Sequence, residues 1–211
     1  MFSVRYLGRQ QPYQTIWQKM QDFTTSRHTL TADEIWFCEH TPTFTLGRQG
    51  KREHILRTSE IPIIQVDRGG HVTYHGPGQL MIYLLLDLKR HQLGAKQFVC
   101  TLEQTVIDLL RDHGITAVRR PGAPGLYADD AKIASIGLRI RNGKTYHGIC
   151  LNVDGDLSPF DMINPCGYEG LTMTQIADHQ TAPEYLDLIT GFMAHFGAHL
   201  RCDWQPHDTG T

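Results

Sequence analysis

Asn142-Gly143 constrains this chain more than any other pair of residues. Both residue types accept the positive φ of a two-residue hairpin turn. Apolar-rich segments flank the pair, Lys132 to Arg141 before it and Lys144 to Val153 after it. A hairpin closed there has one register. Arg139 faces Tyr146, Gly137 faces Gly148 and Ser135 faces Cys150; in the alternate positions Leu138 meets His147, Ile136 meets Ile149 and Ala134 meets Leu151. One face is then apolar and the other is a trough of small side chains. Glycine inside a strand weakens it, so two opposed glycines need a reason. Close approach of a ligand is one; a bulge or a tightly packed helix crossing is the other.

The rest of the chain supplies what the hairpin must pack against. Apolar residues recur at helical spacing from Pro12 to Arg27, from Phe98 to Asp112 and from Pro183 to Leu200. Glu34 to Glu39 reads as a buried strand, Ile61 to Val66 as a short one. Gln79 to Leu88 is too continuously apolar for a half-exposed strand and is expected at the centre of a sheet. Helices and strands mix without a βαβ rhythm and no linker or repeat divides them. The expectation is an α+β fold, one domain over residues 1–211, with a mixed, mostly antiparallel sheet and flanking helices.

Charge and cysteine usage exclude several function classes. A formal net charge of −2 argues against a protein that coats nucleic acid. No run approaches the eighteen or so apolar residues of a membrane span, and MFSVRYLGRQQ lacks an apolar signal core, so the expected location is the cytoplasm. The 5 cysteines are scattered, and no CxxC, HExxH or close Cys/His cluster marks a metal site.

Three segments carry chemistry in density. Arg68 to Gln79 holds four glycines, a proline, His71, His75, Arg68 and Tyr74 in a stretch read as a loop that a ligand can approach closely. It matches neither a Walker loop nor GxGxxG. Lys132 opens the hairpin; a lone lysine at a strand end is usually a solvated charge, and strict alternation puts it on the apolar face unless a bulge re-aims it. Asn164-Pro165-Cys166-Gly167 sets a cysteine on a tight turn, the least core-like setting of the five. A free thiol is only a few per cent thiolate at neutral pH, and a neighbouring cation raises that fraction, which makes Cys166 a candidate nucleophile.

Taken together these segments resemble the octanoyltransferases of lipoate biosynthesis, relatives of lipoate and biotin protein ligases. The resemblance runs through Thr45 to Arg48, Arg68 to Gln79, Lys132 to Gly137, His147 to Asn152, and Leu157 to Gly167. It implies a catalytic pair, Cys166 as acyl acceptor and Lys132 as the group that lowers its pKa. It implies acyl-binding residues Arg68, Gly69, Gly70, His71, Val72, Thr73, Tyr74 and His75. Further acyl-binding positions are Ser135, Ile136 and Gly137 on one hairpin strand and Gly148, Ile149 and Cys150 on the other. His71 stands where glutamine is common in the family, and Cys150 where alanine or serine is common. The implied donor is octanoyl-acyl carrier protein. The implied acceptors are lipoyl domains of 2-oxoacid dehydrogenases and the glycine-cleavage carrier protein, with no cofactor, metal, nucleic acid or membrane. An ATP-dependent ligase would not need a cysteine nucleophile; a regulatory module that binds acyl carrier protein would not need Cys166 and Lys132 intact.

Overall fold

The computed structural model describes residues 2–167 and 170–206, with Cys166, Gln205 and Pro206 described by backbone alone. In chain order the main elements are β1 (Phe2–Tyr6), α1 (Tyr13–Ser26), β2 (Asp33–Cys38), β3 (Thr43–Leu46), β4 (Ile63–Gln65), β5 (Val72–His75) and β6 (Gln79–Leu85). There follow α2 (Ala95–Asp112), β7 (Val118–Arg120), β8 (Ala123–Ala128), β9 (Ala131–Arg141), β10 (Lys144–Asn152), α3 (Tyr185–Leu200) and β11 (Trp204–Pro206).

Eight strands form one sheet in the order β11-β1-β2-β6-β10-β9-β8-β7, and β4-β3-β5 form a second. The large sheet is mixed: β1 runs parallel to β2 and β11, and the other pairs are antiparallel. This is the α+β arrangement expected from the sequence.

Burial explains why β6 has no polar face. Leu80, Ile82 and Leu84 pack toward α2 and α3, in a core with Leu102, Val106, Phe192 and Phe196. Met81, Tyr83 and Leu85 point the other way, into a second cluster with Ile16 and Met20 of α1. A strand covered on both faces reads as a continuous apolar run. A third cluster, with Phe44, Val72, Tyr74, Phe160 and Ile163, closes the small sheet.

Glycine and acidic residues disguise the backbone at two places, the first of which corrects an expectation. The segment from Arg68 to Gln79 is not all loop, because Val72–His75 pairs with β3 and every residue of it is buried. The hairpin joining β8 to β9 turns on Asp129 and Asp130, at φ 44° and 68°, without the Asn-Gly signature that marks the next one.

Candidate active site

The β9–β10 hairpin turns on Asn142 (φ 53°) and Gly143 (φ 83°), and its register places Gly137 opposite Gly148 and Ser135 opposite Cys150. The small-residue face lies against the second sheet and α1. A narrow cleft opens there, walled by Ser135, Gly137, Gly148 and Cys150 from the hairpin and by Arg68, Thr73 and His75 from the facing loop and β5. Tyr13, Met81 and Tyr83 form its floor.

The opposed glycines are explained chiefly by the chain itself. A Cβ on Gly148 would strike the Ile82 carbonyl oxygen of β6, and one on Gly137 would stand 3.0 Å from Arg68 Cδ and 3.3 Å from the Gly69 oxygen. Gly137 thus lets the Arg68–Gly70 turn close onto the hairpin, where the Gly69 N–H donates to the Leu138 oxygen at 2.9 Å. Arg68 is buried and locks this turn to β3: its guanidinium donates to the Thr45 carbonyl (2.9 Å) and hydroxyl (2.8 Å) and to the His71 carbonyl (2.9 Å).

Strict alternation would put His147 with Ile149 on the α2/α3 face. Its φ of 60° turns the ring to the opposite side, a conformation that costs free energy in a non-glycine residue and persists where partners fix it. The partner is Asp67, which accepts from His147 Nε2 at 2.9 Å, from Trp17 Nε1 at 3.0 Å and from the Tyr146 hydroxyl. Burial opposes ionisation of Asp67, but these donors outweigh it and hold the carboxyl below the usual range. With its Nε2 proton on Asp67, neutral His147 accepts at Nδ1 from the Tyr13 hydroxyl, 3.4 Å away. Burial likewise pushes the His75 imidazole well below its ordinary pKa, and its ring stacks on Tyr13 at 5.0 Å. The two histidines at the cleft are therefore uncharged near neutral pH.

Lys132 is not a solvated surface charge; it is 1% exposed. Leu126 of β8 pairs with Ala134 while the next residue, Tyr127, pairs with Lys132, so Ile133 is an extra residue and β9 bulges. Ile133 and Ala134 both enter the main core, and Lys132 turns out of it. Its Nζ donates to the Pro124 oxygen at 2.6 Å and lies 5.5 Å from the centre of the Tyr127 ring. Its backbone is gripped by the segment that follows the cysteine turn: Lys132 N–H donates to Thr172 O (2.8 Å) and Thr174 N–H to Lys132 O (3.0 Å).

Pro165–Gly167 forms a single 3₁₀ turn, closed by the Gly167 N–H on the Asn164 oxygen at 3.0 Å. The Cys166 side chain lies outside the described atoms. The turn sits beside His71, which lines a wider groove with Gly69, Gly70, Pro124 and Gly137. Lys132 is thus hydrogen-bonded to chain that lies five to seven residues beyond Gly167.

A lipoyl protein ligase A/B catalytic domain model matches residues 12–197. An octanoyltransferase of Dechloromonas aromatica is 61% identical over 175 residues, covering 83% of this chain and 85% of its own. One from Pseudomonas fluorescens is 53% identical over 198 residues, covering 94% and 92%. The chain belongs to the octanoyltransferase family. It is accordingly an acyltransferase. Solved structures share the fold at low identity. A bi-partite lipoate protein ligase of Thermoplasma acidophilum has a TM-score of 0.73 at 17% identity, covering 97% of this chain and 85% of its own. A biotin protein ligase of Aquifex aeolicus has 0.61 at 12%, covering 94% and 70%.

Within this octanoyltransferase the residues singled out from sequence divide into three groups. Arg68, Thr73, His75, Ser135, Gly137, Gly148 and Cys150 wall the cleft, and Gly69, Gly70, His71 and Ile136 line a separate groove that shares Gly137 with it. Val72 and Tyr74 face the third apolar cluster, and Ile149 the main core. Sequence reasoning missed Tyr13, Asp67 and Tyr83. Tyr13 and Tyr83 carry the apolar periodicity of ordinary core positions, and Asp67 adjoins the glycine-rich segment without a motif of its own. Cys38 and Cys150 are buried and burial raises both thiols, Cys150 to about 12; Cys100 is exposed on α2. Among the described residues, no helix is long and apolar enough to cross a membrane and no cluster could hold a metal ion.

Proposed function

We propose that this octanoyltransferase moves an octanoyl group from acyl carrier protein to a lysine of a lipoyl domain through a thioester on Cys166. Residues 1–211 act as one catalytic domain in the cytoplasm. The observation that carries this is Lys132, a buried amine whose backbone is hydrogen-bonded to the segment leaving the cysteine turn. An ammonium beside a thiol favours the thiolate.

The sulfur of Cys166 attacks the carbonyl carbon of the donor thioester. A new carbon–sulfur bond forms, the bond to the carrier's sulfur breaks, and the departing thiolate takes a proton from the Lys132 ammonium. The acceptor lysine amine then attacks the acyl-enzyme, the Cys166 thiolate leaves, and neutral Lys132 takes the proton released by the amine. One thioester is exchanged for another, so the first step needs no ATP; amide formation makes the second favourable. The acyl chain lies in the cleft walled by Ser135, Gly137, Gly148 and Cys150. Thr73 and His75 complete its wall, and Gly69, Gly70, His71 and Ile136 line the neighbouring groove. The test is intact-protein mass spectrometry after mixing with octanoyl-acyl carrier protein, followed by addition of a lipoyl domain.

A further inference from the structure

His71 faces the cysteine turn. The ring packs so closely on Gly167 that a Cβ there would stand 3.0 Å from His71 Nδ1. Gly167 adopts φ 77°, so the turn closes over the imidazole without a side chain between them. The ring is held from the far side by His54, edge-on at 6.0 Å and 89°. Its main chain is fixed as well, with the His71 oxygen accepting from Gly47 N–H at 3.1 Å and from Arg68 at 2.9 Å.

Despite this fixed setting, His71 Nδ1 is buried and has no hydrogen-bond partner. A buried, unpaired ring nitrogen is uncommon and calls for an explanation, of which a group supplied by a ligand is one. The rest of the residue borders the groove beside Gly69, Gly70 and Gly137. Among the described residues, three backbone donors near the turn are occupied. Gly167 N–H serves Asn164 O, Gly69 N–H serves Leu138 O, and Gly47 N–H serves His71 O.

We infer that His71 is a further catalytic residue, its Nδ1–H donating to the carbonyl oxygen of the acyl group on Cys166 and to the oxyanion that forms when that carbonyl is attacked. This deepens the function proposed above and rests on the Cys166 thioester. Negative charge grows on that oxygen as the carrier or acceptor adds, and a donor already in place stabilises the charge without reorganising. A glutamine placed here would also carry a nitrogen donor on a side chain of similar reach.

The experiment uses octanoyl-acyl carrier protein labelled with ¹³C at the carbonyl and reads two quantities on the full-length enzyme: the single-turnover rate of acyl transfer to a lipoyl domain, and the infrared stretch of the labelled carbonyl in the acyl-enzyme. In His71→Leu the rate falls about 100-fold, in the range for loss of one oxyanion donor. KM for the carrier protein is little changed, and the carbonyl stretch moves to higher frequency. His71→Gln recovers most of the rate and returns the stretch toward wild type. A wild-type rate in His71→Leu, or a slow variant whose stretch does not move, overturns the inference while the thioester stands. Should His71→Leu fail to fold, the ¹⁵N resonance of His71 Nδ1 in the wild-type protein decides: it shifts on acylation if the bond forms, and an unmoved resonance overturns it. Absence of any thioester on the wild-type protein removes the Cys166 reading and this inference together.

Discussion

The Lys132 ammonium donates to the Pro124 carbonyl oxygen at 2.6 Å, across the bulge that Ile133 makes between β8 and β9. The bulge takes Lys132 out of the core face.

Lys132→Ala is therefore expected to slow acylation by at least about tenfold and to move the alkylation profile of Cys166 to higher pH. Lys132→Arg keeps the cation but cannot give up its proton, so it restores thiol reactivity more than transfer to the acceptor amine. Iodoacetamide rates measured against pH check this. An identical profile in wild type and Lys132→Ala would sink it.

Chain length is expected to be read by the cleft. Octanoyl carries four more methylenes than butanoyl, each contributing roughly 0.8 kcal/mol when buried. Gly148 is a poor place to test this, because any side chain there meets the β6 backbone. Ser135 opposes Cys150 and lines the cleft. Ser135→Val should lower the rate with octanoyl donors by about tenfold more than with butanoyl donors, while a thermal melt shows the variant folded. Equal losses would mean that the acyl chain lies elsewhere.

Stability is expected to fall with acidification before any carboxylate titrates. His40 donates Nδ1–H to the Gln11 oxygen (2.8 Å) and accepts at Nε2 from Tyr83 (2.6 Å), and burial lowers its pKa from 6.5 to about 4. Tyr13, His75, Cys38 and Glu39 also face it. The unfolded chain binds this proton at about pH 6.5 and the folded one does not until about pH 4, so stability is lost as pH falls through that window. The slope is about 1.4 kcal/mol per pH unit for one such group. His75 and His147, also lowered, add with the same sign. Asp67 and Asp33, held below 3.8, act only at lower pH. Melting temperatures between pH 7.5 and 4.5 should drop, and more gently in His40→Gln. A flat profile in wild type would contradict this.

Docking of an acidic carrier is expected to depend on Arg48 more than on the hairpin tip. Arg139, Arg141 and Lys144 flank that tip in the chain, but Lys144 Nζ donates to the Arg27 oxygen at 2.7 Å and Arg139 lies beside Tyr146. Arg48 is exposed next to Gln49 at the groove. Raising salt should slow second-order acylation, and Arg48→Glu should slow it by about tenfold at low salt while Lys144→Ala chiefly lowers the melting temperature. A salt-independent rate would show that charge does not steer the encounter.

Much of this was legible in the sequence where one local rule decided the outcome. Asn142-Gly143 gave the turn, and the turn gave the register of both strands. The unbroken apolar run in β6 announced burial on two faces. What stayed hidden was set by tertiary contact. The aim of Lys132 depends on one extra residue in a ladder, and that of His147 on a positive φ that Asp67, Trp17 and Tyr146 sustain. Neither leaves a composition signal. The reason for the paired glycines was open, and the answer, close passage of β6 and of the Arg68 turn, belongs to chain segments remote from the hairpin.

The most direct test of the whole account is the mass of the enzyme after brief exposure to octanoyl-acyl carrier protein. One octanoyl group should appear, be mapped to Cys166, be cleaved by hydroxylamine, and pass to a lipoyl domain when that is added. Cys166→Ala should carry none and transfer nothing, whereas Cys100→Ser, altered at an exposed position on α2, should behave as wild type. Transfer at the wild-type rate by Cys166→Ala, or an acyl group mapped to another residue, would contradict it.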